Sequence, residues 1–323
     1  MTTTQLQYDP EYLASIAGRG AGPLPFKDAM ELRAWTEPLL RTVLAAQPSP
    51  EQVLATEIPF TSHDGQAVNL VRFATKEMIE APEPQAAVVY LHGGGFVACD
   101  VAIFAPQIKR FVDMVGLPFF AVDYRLAPEF PDGLSAEDAY HGLKHLSEHA
   151  AEWNVDPARI VLMGDSAGGG IAAGAALIAR DRRLDPPLKK QVLVYPMLDD
   201  RTQMPKTAAT YKFLSWKTND NRIAWEAVLG EKAGDPRADV SLYAAPGRAA
   251  VDDLKGLPPT YVDVGSLDLF RDECIEYVAK LSQADVEVEF HMWPGLPHGF
   301  EGSPGVSWVK RALEARNAAM RRV

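Results

Sequence analysis

Residues 159–180 read RIVLMGDSAGGGIAAGAALIAR, and this stretch decides the fold. It begins as a short apolar strand, turns at the G-x-S-x-G pentapeptide 164–168, and continues as a helix built mostly of alanine and glycine. So tight a strand-to-helix turn needs glycines on both sides of the serine, and it leaves the Ser166 hydroxyl projecting at the helix N-terminus. The pattern predicts a nucleophilic serine; the competing interpretation is a Gly-rich turn with an incidental serine.

Short apolar segments alternate with helix-length segments along much of the chain. The predicted strands are 56–60, 67–73, 86–91, 117–122, 159–163, 191–195, 260–264 and 286–291, and the predicted helices are 104–115, 135–151, 167–180, 270–283 and 306–319. Several strands are apolar throughout, which is typical of a parallel sheet covered on both faces. His63-Asp64-Gly65 between the first two strands predicts an antiparallel hairpin at the sheet edge. The fold class is therefore α/β, with a mostly parallel sheet flanked by helices.

Two stretches lack this alternation. Residues 1–48 are typical of helices broken by Pro and Gly, and residues 199–245 are polar and aromatic, with apolar side chains at roughly helical spacing. We expect both to form a helical cap over one end of the sheet. The catalytic domain would then comprise residues 49–198 and 246–323.

Composition excludes several classes of protein. The net charge of −11 and the lack of a dense Lys/Arg run argue against nucleic acid as a partner. Two cysteines are too few for a disulfide framework. Residues 1–10 lack the features of a signal peptide, and no window reaches the ~18 apolar residues of a membrane span. The expectation is a cytoplasmic enzyme.

A glycine-rich segment, His92-Gly93-Gly94-Gly95-Phe96, follows the strand that ends at Leu91. Three glycines would bring backbone amides close to a reacting carbonyl, so Gly93 and Gly94, with Ala167, are predicted to bind a developing oxyanion. A phosphate-binding loop is the alternative, but no Lys-Ser/Thr pair or G-x-G-x-x-G fingerprint accompanies it. His92 itself is interpreted as a structural residue of the loop.

A serine nucleophile needs a base and an acid. His298 lies in a Gly/Pro loop after the last predicted strand, where a histidine has no packing role, and is the predicted base. Asp268 follows the strand 260–264, in the chain order Ser…Asp…His of α/β-hydrolases, and is the predicted acid. The other acids weighed for this role are Asp272 and Glu273, with Asp263 placed inside the strand and Asp165 interpreted as loop support. Among the other histidines, His291 is interpreted as structural and His141, His145 and His149 as a solvated helix face rather than a zinc site.

Several motifs occur together in the order found in one known family. They are HGGGF at 92–96, DYRLAPE at 123–129, GDSAGG at 164–169, Tyr195-Pro196, DLFRDE at 268–273 and His298-Gly299-Phe300. In these motifs residues ~55–323 resemble the hormone-sensitive-lipase-like carboxylesterases, of the bacterial family IV type. The family's Asp-Pro-Leu reads Asp-Leu-Phe here, which leaves the acid in place.

The resemblance implies an eight-stranded sheet, a cap built from the N-terminus and an internal insertion, and hydrolysis of short- to medium-chain acyl esters without a metal or other cofactor. It places the triad on Ser166, Asp268 and His298, and it makes a homodimer plausible. The substrate pocket is expected to use members of a set of apolar residues: Phe96, Met197, Leu198, Phe213, Leu214 and Trp216.

Other activities would show the same motifs. An amidase, a lactonase or a deacetylase of a small metabolite could use this triad. A receptor for a small ligand on this fold is a remoter alternative, because such proteins typically lack a triad member. The sequence leaves the natural substrate open.

Overall fold

The computed structural model describes residues 6–18 and 25–323. The strands are β1 (Val53–Thr61), β2 (Ala67–Thr75), β3 (Gln85–Leu91), β4 (Phe119–Val122), β5 (Val155–Asp165), β6 (Lys190–Val194), β7 (Thr260–Gly265) and β8 (Val288–Trp293). The helices are α1 (Pro10–Ser15), α2 (Ala29–Ala45), α3 (Lys76–Ile79), α4 (Val101–Val115), α5 (Leu134–Glu148), α6 (Ala167–Asp181), α7 (Thr218–Leu229), α8 (Arg271–Gln283) and α9 (Ser307–Arg321).

One sheet holds all eight strands, in the order β1-β2-β4-β3-β5-β6-β7-β8. The hairpin of β1 and β2 is antiparallel, and β2 joins β4 antiparallel. From β4 to β8 every pairing is parallel. The predicted α/β class, the edge hairpin and the eight-stranded sheet are therefore confirmed.

Helices cover both faces of this sheet, so its central strands are apolar throughout. Residues 87–91 of β3 and 119–122 of β4 are fully buried. On the two faces, α4 packs against α9 and α5 packs against α6. Because βαβ crossovers place the carboxyl ends of parallel strands at one edge, the loops after β3, β5, β7 and β8 meet there.

Local hydrogen bonds account for two of the differences from the predicted boundaries. The helix predicted from 104 begins at Val101 because the Asp100 side chain accepts the Ile103 amide at 2.6 Å. It ends at Gly116, which has φ 74°. The last strand lies two residues later than predicted, because the Val286 amide is hydrogen-bonded to Leu281 at the end of α8.

The two irregular stretches lie together. Helix α2 contacts α7, and the Asn219 side chain donates to the carbonyl of Phe26. Residues 1–5 and 19–24 of the expected N-terminal cap segment lie outside the described residues. In the parts that are described, no helix is both long and apolar enough to cross a bilayer.

Candidate active site

Ser166 occupies the turn between β5 and α6. Its backbone angles, φ 57° and ψ −121°, are rarely adopted by a residue with a side chain and cost roughly 1–3 kcal/mol. The flanking glycines permit the turn. A Cβ on Gly164 would lie 2.0 Å from the carbonyl oxygen of Gly168, and one on Gly168 would lie 2.1 Å from that of Leu91. The turn therefore holds the serine at the carboxyl edge of the sheet.

The structure brings Ser166, His298 and Asp268 into one chain of hydrogen bonds. Ser166 Oγ lies 2.9 Å from His298 Nε2, and His298 Nδ1 lies 2.8 Å from Asp268 Oδ2. Asp268 is fully buried, and its other oxygen accepts the Phe270 amide at 2.9 Å. With the Nδ1 proton facing a carboxylate, Nε2 is left to accept the serine proton.

The other acids that the sequence offered have different partners. Asp272 forms an ion pair with Arg271 at the surface, and Glu273 accepts the Leu198 amide at 2.7 Å. Asp263 points into the interior, toward Arg316. Of these carboxylates, only Asp268 lies against His298.

The remaining histidines pack away from the serine. His92 stacks on Tyr124 with ring centroids 4.3 Å apart, and burial lowers its pKa. His291 stacks on Trp293. His145 and His149 stack on each other, 4.3 Å between centroids. Among the described residues, no group of three or more His, Cys, Asp or Glu side chains is placed to hold a metal.

The loop after β3 passes directly beside the nucleophile. A Cβ on Gly93 would lie 3.4 Å from Ser166 Cβ, so the two backbones are in contact. The Gly93 amide, however, faces the carboxylate of Asp165 and lowers its pKa. Within residues 6–18 and 25–323, the amides of Gly94 and Gly95 have no acceptor. Ala167 is the first residue of α6, where an N–H has no partner inside the helix.

Asp165 is buried beneath this loop, 6 % exposed. Its carboxylate accepts a short hydrogen bond from the Tyr90 hydroxyl and faces the Gly93 amide. Burial raises the pKa of Asp165 to about 7, although the Tyr90 hydroxyl and the Gly93 amide oppose the shift. The side chain therefore ties the nucleophile turn to the glycine loop, in agreement with its interpretation as loop support.

A buried ion cluster supports the loop that carries His298. Arg316 of α9, only 2 % exposed, binds Asp263 of β7 through Nε and Nη2 at 2.6 and 3.0 Å and also contacts Glu301. Glu301 accepts the Tyr195 hydroxyl at 2.8 Å, and the Tyr195 ring packs edge-on against His298, 4.5 Å between centroids. Tyr195, which is held by the Arg316–Glu301 ion pair, thus packs against the imidazole of His298 and supports its position.

The segment 199–245 reaches the same site through two adjacent residues. Ser215 Oγ donates to the backbone carbonyl of His298 at 2.7 Å. A Cβ on Gly95 would lie 2.6 Å from Trp216 Cη2, so the indole lies in contact with the glycine loop. Trp216 Nε1 donates to Asn221 at 3.3 Å, which fixes the ring. Trp216 therefore lies against the glycine loop that passes beside Ser166.

The six residues expected to line the pocket differ in their surroundings. Met197 and Leu198 are fully buried, and the Met197 amide donates to the carbonyl of Ser166 at 2.9 Å. This segment therefore lies against the serine turn, and its part in a substrate pocket stays a prediction. Phe96 packs on Trp225, 4.9 Å between centroids. Phe213 packs edge-on against Tyr8 of the N-terminal segment, 5.0 Å between centroids. Leu214 and Trp216 alone are partly exposed.

Sequence reasoning missed the supporting residues around the triad. The sequence did not single out Gly95, because three consecutive glycines do not show which of their amides lack a hydrogen-bond acceptor. Arg316 and Ser215 bear on the His298 loop from distant segments. Glu301, three residues after His298, was the one that local sequence could have suggested.

Comparison with known proteins agrees with this geometry. The chain matches the family model of the alpha/beta hydrolase fold over residues 88–302. It is 37% identical to Esterase LipI of Mycobacterium tuberculosis over 247 residues, covering 76% of this chain and 72% of that protein. It is 34% identical to Carboxylesterase NlhH of the same species, covering 71% and 74% of the two chains.

A solved structure extends the similarity to the whole fold. The bacterial heroin esterase superposes with a TM-score of 0.85 at 34% sequence identity, over 99% of both chains. The matched family segment spans β5, the serine turn, Asp268 and His298. The sheet order, the hydrogen-bonded side chains of Ser166, His298 and Asp268, and these relatives agree. We conclude that the chain belongs to the hormone-sensitive-lipase-like branch of the α/β-hydrolase fold family.

Proposed function

We propose that the protein is a serine carboxylesterase that hydrolyses short- to medium-chain acyl esters through an acyl-enzyme intermediate. The observation that carries the proposal is the hydrogen-bonded series from Ser166 Oγ through His298 to Asp268, at 2.9 and 2.8 Å. Ser166 lies beside backbone amides of the glycine loop that have no acceptor among the described residues. Such amides can bind the oxyanion, which is the second requirement of acyl transfer. The esterase names of the relatives support the same reaction class.

In the acylation step, Ser166 Oγ attacks the ester carbonyl while His298 Nε2 takes its proton. The carbonyl oxygen becomes an oxyanion. His298 then gives the proton to the leaving alcohol, and the acyl group stays on Ser166. Asp268, buried and unable to move, holds the imidazole in the productive tautomer and stabilises its charged form. Water repeats the sequence on the acyl-enzyme and releases the acid.

For the oxyanion we propose the amides of Gly94, Gly95 and Ala167, which replaces Gly93 of the sequence prediction by Gly95. Gly93 is less suited because its amide faces the buried carboxylate of Asp165. Gly94 and Gly95 have φ of 128° and 64°, and they lack an internal acceptor among the described residues. The loss of one such donor typically costs 10²- to 10³-fold in kcat, roughly 3–4 kcal/mol.

We propose that the cap, formed by the described parts of residues 1–48 and by 199–245, limits the acyl group. Trp216 is in contact with Gly95, so it lies next to the carbonyl that the oxyanion site would hold. Leu214 is the other partly exposed apolar residue of the predicted pocket. Because a fixed indole at this position leaves little length beside the reacting carbon, small acyl groups fit best.

The exposed edge of β8 is the place where we propose that a second copy pairs. Among the described residues, β8 pairs with β7 on one side only, and its other edge has no strand partner. Met292 on this strand is 48 % exposed. Sedimentation velocity of the wild type and of Met292→Lys tests the pairing: a dimer that dissociates in the variant supports it, and a monomeric wild type contradicts it.

Hydrolysis of p-nitrophenyl esters from acetate to palmitate tests the activity, with Ser166→Ala as the inactive variant and Ser135→Ala, on α5, as the matched control. We expect turnover on the C2–C8 esters that Ser166→Ala abolishes and the control retains. A well-folded wild type that hydrolyses none of these esters would contradict the proposal. Amide and lactone substrates then distinguish the amidase and lactonase alternatives.

A further inference from the structure

The glycine loop 92–100 is held in an unfavourable backbone conformation. Besides Gly94 and Gly95, Phe96 and Cys99 have positive φ, 65° and 78°, which residues with side chains seldom adopt. Only two amides of the loop, those of Val97 and Ala98, find an acceptor within the loop itself, and both donate to the carbonyl of Gly94. A segment with this backbone keeps its shape only when contacts from outside fix it.

Two side chains of α2 supply such contacts from a segment more than sixty residues away. Arg33 Nε donates a short hydrogen bond to the carbonyl of Val97. Glu37, one helical turn further along α2, accepts the Cys99 amide at 3.1 Å. The spacing of four residues places both side chains on the same helix face. A cation therefore holds one carbonyl and an anion holds one amide, two peptide units apart.

The guanidinium of Arg33 also binds the segment 127–129, in addition to the glycine loop. Its guanidinium donates to the carbonyl of Ala127 at 2.8 Å and forms a two-point pair with Glu129 at 2.6 and 2.7 Å. The Ala127 amide in turn donates to the carbonyl of Phe96 at 3.0 Å. With the Arg33 side chain 17 % exposed, its position is determined by these partners.

We propose that Arg33 and Glu37 are positioning residues for the oxyanion amides, so that α2 of the cap belongs to the catalytic apparatus. The inference rests on the proposed esterase function. Gly94 and Gly95 precede the clamped carbonyl of Val97 by three and two residues. Release of that carbonyl lets Phe96 and Cys99 relax toward negative φ and moves the two glycine amides away from the oxyanion.

The test separates this role from general stabilisation. Arg33→Met and Glu37→Leu remove the donor and the acceptor, whereas Glu37→Gln keeps an oxygen that accepts the Cys99 amide. We expect kcat on p-nitrophenyl acetate to fall tenfold or more in the first two variants with KM within about twofold, and to stay near wild type in Glu37→Gln. Arg182→Met is the matched control, since it removes a comparable two-point ion pair, with Glu137, remote from the loop.

A second readout reports the oxyanion site directly. A trifluoromethyl ketone forms a tetrahedral adduct with the serine, so its inhibition constant should rise in Arg33→Met and Glu37→Leu in proportion to the loss in kcat/KM. The affinity for a non-reactive ketone of the same size should stay unchanged. Equal losses for both ketones, or wild-type kcat in folded Arg33→Met, would overturn the positioning role. Ser166→Ala in parallel tests the esterase function separately, since turnover that survives it would contradict that function and not the clamp.

Discussion

Replacement of Arg316 by Met should destabilise the protein strongly. Arg316 is 2 % exposed and neutralises Asp263, which has no solvent access, and it also contacts Glu301. Removal of one partner from a buried ion pair leaves an uncompensated charge and costs about 3–5 kcal/mol. Met occupies a similar volume, so the loss comes chiefly from the charge.

The expected shift in melting temperature follows from the chain length. At about 2.1 cal/mol/K per residue, a chain of 323 residues unfolds with an entropy of roughly 0.7 kcal/mol/K. For a single cooperative transition, 3–5 kcal/mol then lowers Tm by roughly 4–7 °C. Calorimetry measures the shift. Arg182→Met is the control, because its partly exposed pair with Glu137 is worth at most about 1 kcal/mol, or roughly 1.5 °C.

The double variant Arg316→Met/Asp263→Asn makes the reasoning specific to charge. If an unpaired carboxylate causes the loss, its neutralisation should recover at least half of the lost Tm. A shift in Arg316→Met no larger than that in Arg182→Met would refute the argument. No recovery in the double variant would attribute the loss to packing on Tyr195 and Phe300, over whose rings the guanidinium lies at 5.3 and 5.0 Å.

Three further predictions concern the site itself. Asp268→Asn should lower kcat by roughly 10³- to 10⁴-fold with Tm close to wild type, because an amide N–H facing Nδ1 favours the wrong tautomer; steady-state kinetics on p-nitrophenyl butyrate measure it, and a loss under tenfold would count against the triad. Asp165→Asn should gain stability relative to wild type by roughly 2–3 kcal/mol between pH 5 and pH 8 in urea unfolding, because a carboxyl with its pKa raised to about 7 stabilises the fold at low pH and loses that contribution as pH rises through 7. Parallel stability curves for the two proteins would contradict the buried position. Trp216→Ala should raise kcat/KM for the octanoate relative to the acetate by about tenfold or more, since the indole borders the reacting carbonyl; Trp308→Ala, on α9, is the control, and an unchanged chain-length profile would remove Trp216 from the pocket.

The sheet and the three aligned side chains were accessible from the sequence for a common reason. Ser166, Asp268 and His298 each follow a strand closely, and parallel strands bring such positions to one edge of the sheet. The position of each residue just after a predicted strand was therefore enough to predict that the three side chains meet. The α/β class followed from the alternation of short apolar runs and helices, and the edge hairpin followed from the turn signal at residues 63–65.

Residues whose roles depend on contacts between distant segments could not be derived in this way. Arg33 reaches Val97 from a helix that carries no motif, and Asp165 meets the Gly93 amide only in the folded chain. For Met197 and Leu198, a strand end predicts proximity to the site, and the Met197 amide does donate to the Ser166 carbonyl, but it does not predict the direction of the side chains, which are fully buried. Side-chain direction in a loop depends on neighbours that the local sequence does not name.

The glycines of α6 constrain how the specificity of this protein could be changed. A methyl group on Gly170 would lie 2.1 Å from the carbonyl oxygen of Met197, and one on Gly174 would lie 2.1 Å from that of Tyr243. Both clashes are with backbone, which cannot rotate aside. Positions 170 and 174 of the helix behind Ser166 therefore accept no larger residue without a backbone shift, and libraries that diversify them would consist mostly of poorly folded chains. Substitutions for new substrates are better placed around Leu214 and Trp216, where side chains are partly exposed.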